Sequence, residues 1–148
     1  MKKLLSIVLS FLLVFSVLPA VSAAEQESVI SQQRIELENG IVIIDTLVEC
    51  KNARIMGKAA RRTATIYHED VLVGKITLAA GFEYDGTTVY VTSSSVVEKE
   101  TYQGWSYVQN SLTSSGGTIT LDAKMTKLLV LNIPFTISIT CDANGNIS

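Results

Sequence analysis

Residues 118–126, TITLDAKMT, alternate without a fault: Ile119, Leu121, Ala123 and Met125 at one parity, Thr118, Thr120, Asp122 and Lys124 at the other. Successive side chains of an extended strand point to opposite faces, so one face is apolar and the other polar. Residues 134–141, PFTISITC, repeat the pattern with Phe135, Ile137, Ile139 and Cys141 turned inward. A helix needs a period of about 3.6, which neither stretch has. The two stretches predict antiparallel strands over a shared core.

Working outward, RIELENGIVIIDTLVE (34–49) places Asn39-Gly40 between two apolar runs, a strong hairpin signal because both residues tolerate φ > 0. In TATIYHEDVLVGKITLAAGFEY (63–84) a short strand, a polar turn at His68–Asp70 and a long strand follow one another. Ile76, Leu78, Ala80, Phe82 and Tyr84 share a face of that long strand. Asp85-Gly86 turns the chain into TTVYVTSSSVV (87–97), and after a polar stretch TYQGWSYVQ (101–109) reads as a further strand with a bulge or close approach at Gly104. TSSGG (113–117) is a loop. Seven or so antiparallel strands with no helical segment predict an all-β, immunoglobulin-like β-sandwich, with a small β-barrel as the alternative.

The first residues predict an address. MKK is a positive start, Leu4–Leu18 is an apolar run of 15 residues, and Pro19 with small residues at Val21 and Ala23 makes a cleavage site. Fifteen residues rise only about 22 Å as a helix, short of a hydrocarbon core of about 30 Å. The expectation is a signal peptide and signal helix over 1–23, then an acidic hairpin segment 24–50, a basic linker 51–62 and the sandwich domain 63–148, released outside the cell. Removing Lys2 and Lys3 leaves 10 cations against 14 acids, a net charge of −4 that argues against bulk nucleic-acid binding. Outside the cytosol, Cys50 and Cys141 are candidates for a disulfide, the rival being two buried thiols.

Several short elements resemble one another's counterparts in a known group. ARIMGKAARRT (53–63), Phe82-Glu83-Tyr84-Asp85-Gly86, Tyr102 to Trp105, and Thr140-Cys141 through Ser148 resemble an uncharacterised family of small secreted β-rich proteins of Gram-positive bacteria, over about residues 35–148. The resemblance implies export and a β-rich domain, and no activity. Members often carry a cysteine about where Val91 stands here, so the resemblance makes pairing of Cys141 with Cys50 less expected.

Chemistry is thinly signalled. His68 is the lone histidine, no Gly-x-Ser-x-Gly elbow is present, and a turn cannot aim its neighbouring acids at one metal. Glu83 with Asp85, and Glu98 with Glu100, share strand faces, whereas glycoside hydrolysis needs two acids across a cleft. Asp142, Asn144 and Asn146 echo a calcium loop that lacks its glycine at position six and its bidentate glutamate. Trp105 reads as core rather than as a sugar platform, leaving Tyr102 as the better exposed contact. Lys51, Arg54, Lys58, Arg61 and Arg62 gather half the cations of 24–148 in twelve residues without an acid, a candidate anion-binding patch or a solvated linker pairing with the acidic segment before it. LLVLNIPF (128–135) reads first as buried strand continuation and alternatively as an exposed patch, through Leu128, Leu129 and Leu131, for a partner or a membrane.

These readings favour a secreted, non-enzymatic binding protein of the cell envelope or another extracellular surface, using no cofactor and touching membrane only peripherally. The alternatives are a membrane-active or toxin-like protein and a small secreted hydrolase.

Overall fold

The computed structural model describes residues 26–51, 57–128 and 130–148. The signal peptide expected over 1–23, Arg54 and Leu129 lie outside the described residues. Eight strands follow in order: β1 (Gln26–Glu36), β2 (Ile41–Lys51), β3 (Lys58–His68), β4 (Val71–Tyr84), β5 (Val89–Thr101), β6 (Ser106–Ser115), β7 (Thr118–Lys127) and β8 (Leu131–Thr140). They form two antiparallel sheets, β1-β2-β3-β4-β5 and β6-β7-β8.

Tight turns carry most of the connections. Asn39-Gly40 links β1 to β2 with both residues at positive φ. Glu69-Asp70 (φ 51° and 63°) and Gly116-Gly117 (φ 54° and 79°) are two-residue loops whose twist suits the flanking strands. Gly104, expected as a bulge within a strand, instead forms with Gln103 the corner where the chain leaves one sheet for the other; the Trp105 amide donates to the Tyr102 carbonyl at 3.0 Å. The strand expected to end near Val97 runs on to Thr101, because its polar residues lie on an edge where alternation is not demanded.

The core joins the two layers. Ile76, Leu78, Ala80 and Phe82 of β4, Ile119, Leu121, Ala123 and Met125 of β7, and Phe135, Ile137, Ile139 and Cys141 at β8 all belong to one buried cluster. Each large aliphatic there contributes about 1.5–3 kcal/mol relative to an exposed position. Tyr84, expected on the same face, is partly exposed because it sits at the hairpin end. Trp105 is core, at 5% exposure, beside His68.

The wiring differs from an immunoglobulin sandwich, which sets non-consecutive strands side by side; here all six paired neighbours are consecutive in sequence. Two separate sheets also differ from a closed barrel. Described residues of the segments expected as an acidic hairpin and a basic linker belong to the larger sheet: Lys51 ends β2 and Lys58–Arg62 open β3, held by pairing to both β2 and β4.

Candidate functional site

The layers are unequal, and that places the candidate site. β8 lies over β3, β7 over β4 and β6 beside β5, so the inner face of β1 extends past the smaller sheet, while Ile43 and Leu47 of β2 are buried at the margin of the core. Side chains directly opposite in an antiparallel pair share a face, which puts Ile35 with Ile43, and Asp45 with Ala64, on that inner side. The result is a slot of about 180 Å³ lined by Ile35, Leu37, Ile43, Asp45 and Ala64 on one wall and by Pro134 to Ile137 on the other.

Arg62 ties the two walls. Its Nε and Nη2 donate to the Asp45 carboxylate at 2.6–3.0 Å, while Nη1 donates to the Ser138 carbonyl of β8 at 2.7 Å. Such a fork suits a planar carboxylate, and burial leaves little water to compete with it. The slot is therefore apolar with one neutralised ion pair on its wall.

The basic cluster is not an open patch. Lys58 donates to Glu49, Arg61 to Glu27 at 2.8 Å, and Arg62 to Asp45, so the acids of the preceding hairpin answer its cations across β1, β2 and β3. Lys51 closes β2 at an exposed position.

No disulfide joins Cys50 to Cys141; both side chains are buried. Cys141 sits on the apolar face of the smaller sheet, whereas Cys50 stands opposite Ala59 on the outer side of the larger one, at the wall of a trough of about 250 Å³ floored by Ala59, Ala79 and Gly81. Burial first, and then the charge of Asp142, push the Cys141 thiol above its ordinary range.

Glu98, Glu100, Asp85 and Asp142, singled out by sequence, are already engaged. The hydrogen bond from Lys75, then that from Thr77, hold Glu98 below the usual carboxylate range, and Glu100 accepts from the Tyr102 hydroxyl. Asp85 is lowered by the amides of Thr88 and Thr87 that it caps. Asp142 is lowered by the Asn146 side chain and amide and closes the last turn by accepting from the Asn144 amide as well. A general acid at neutral pH needs the opposite shift. His68 packs its ring 5.6 Å from that of Trp105. Among the described residues, no group of three or more His, Cys, Asp or Glu side chains is placed to hold a metal ion.

Leu128, Val130 and Leu131 overturn the first reading of LLVLNIPF. They are not buried strand continuation: Leu128 is 84% exposed, Val130 80% and Leu131 46%, because β7 ends at Lys127 and the chain reverses there. Tyr102 is partly exposed at the corner after β5. Ile35, Leu37 and the Arg62–Asp45 pair were not marked by sequence; only the parity of Ile35 with Ile43 across the Asn39-Gly40 turn could have hinted at a shared face.

Compared with family models, curated protein sequences and solved structures, the chain matches none.

Proposed function

We propose that this chain is an exported, non-enzymatic binding protein that takes an apolar group of an envelope or other extracellular partner into the slot between β1–β2 and β8. The carrying observation is the mismatch of five strands against three, which leaves Ile35 and Leu37 on an uncovered inner face. Exposed apolar surface beside a built cavity favours binding. The engagement of Glu98, Asp85 and Asp142 in local hydrogen bonds favours binding over hydrolysis. Export rests on the expected leader and on the resemblance to small secreted β-rich proteins. Pro134 takes one amide donor from the edge of β8, which favours insertion of a side group over addition of a whole strand.

Retention on cell-wall, glycan and extracellular-protein panels tests this reading. The wild-type chain is expected to be held by at least one surface and the Ile35→Glu/Leu37→Glu variant to be released from it, with unchanged circular dichroism. Equal retention of the two, or turnover of a hydrolase substrate with no retention anywhere, would overturn it.

A further inference from the structure

The β7–β8 turn is chemically unlike the other turns of the molecule. Among the described residues, the non-glycine positions with positive φ are Asn39, Glu69, Asp70, Gln103 and Leu128. Four are polar, as the left-handed region and solvent exposure together favour. Leu128, at φ 53°, is the exception, and the fold does not cover it. The Val130 amide donates to the Lys127 carbonyl across the turn at 3.2 Å. Leucine here exposes apolar surface and strains the backbone at once, with no return in packing.

The charges carried by the hairpin arms next to the tip have one sign. From Ala123 to Cys141 the sequence holds Lys124 and Lys127 and no acid. Neither lysine has a salt bridge to an acid among the described residues, unlike Lys58, Arg61 and Arg62. A projecting aliphatic tip with lysines set behind it matches an anionic bilayer surface: the aliphatic groups enter the acyl boundary while the ammonium groups stay at the phosphates. A protein partner fits less well, because a convex tip of this size cannot supply the roughly 800 Å² per side that a stable protein interface buries.

We infer that the β7–β8 tip, through Leu128 and Val130 with Lys124 and Lys127 behind them, anchors the protein reversibly to anionic lipid surfaces. This goes beyond the slot reading and does not depend on it. The attraction comes from these two lysines and not from the cluster at 51–62, whose described arginines and Lys58 face carboxylates.

Sedimentation with phosphatidylglycerol-containing and pure phosphatidylcholine vesicles tests the inference, on protein whose N-terminus has been read by mass spectrometry so that the same N-terminus is shared by all variants. The wild-type chain is expected to sediment with the anionic vesicles. Leu128→Gly/Val130→Ser should lose about tenfold or more in binding, and Lys124→Gln/Lys127→Gln roughly fivefold per lysine at low salt, with added salt weakening the wild type towards the lysine variant. Ile35→Glu should bind vesicles as the wild type does, so the slot reading can fail while this one stands. No binding to anionic vesicles, equal binding by the tip variant, or a dimer in sedimentation velocity that the tip variant dissolves without any vesicle binding would overturn the inference.

Discussion

The two ends of the β7–β8 hairpin are built on opposite principles. At the end where β7 begins and β8 finishes, the chain is tied several times: the Cys141 amide donates to the Gly117 carbonyl, Thr140 and Ser148 exchange backbone hydrogen bonds, and the Gly86 amide of the neighbouring hairpin donates to Ala143. Gly145 lies flat against the Tyr84 ring. At the other end the aliphatic side chains of Leu128 and Val130 face solvent. The difference separates stability from use. The tied end has spent its polar groups on itself, and the open end leaves its apolar groups for something outside the molecule.

The largest expected effect breaks the tied end. A Cβ at Gly117 would stand 2.4 Å from the Val89 side chain and 2.6 Å from the Cys141 carbonyl oxygen, at a φ of +79°. Gly117→Ala therefore combines backbone strain with overpacking and should cost about 3 kcal/mol in urea unfolding. Gly116→Ala, next to it, meets nothing within 4 Å and should cost only about 1 kcal/mol. Equal losses would mean that the turn, and not the contact with the tail, sets the stability of this end.

A smaller effect of opposite sign is expected at the tip. Leu128→Gly relieves a left-handed leucine that packs against little, so it should raise stability by about 1 kcal/mol. A buried leucine at the same position would cost about 2–5 kcal/mol when truncated. The sign of the change in the unfolding curve thus sharpens the contrast between the two ends.

The strands were legible where alternation is strict. Ile119 to Met125 and Phe135 to Cys141 have their burial written in their parity, because each strand faces a core on one side and solvent on the other. The turn at Asn39-Gly40 was legible for the same local reason, whereas the loop expected over 113–117 shrinks to Gly116-Gly117, because Thr113, Ser114 and Ser115 pair with β7 and extend β6. The slot was not, since which strands overhang depends on how two sheets stack, and no single strand carries that. Nor were the partners of the basic cluster fixed in detail: Asp45 lies 17 residues from Arg62, and only the register of β2 on β3 brings them together. The run from Leu128 to Leu131 misleads because apolar residues at a tip and apolar residues in a strand have the same composition. Their difference is one of backbone, a positive φ at a residue that rarely takes one.

Alkylation of the folded Leu128→Cys variant tests most directly whether the tip stands free while the opposite end is sealed. Near neutral pH the introduced thiol should take one iodoacetamide group quickly, while Cys141, sealed in the core with its thiol pushed up by burial, holds its proton and stays unmodified. Cys50, buried at the trough wall on the outer side, should react more slowly than the tip. Denaturation without reductant should then expose both native cysteines to the reagent, as no disulfide joins them. A folded variant that takes no label at the tip, or takes it first at Cys141, would contradict the account.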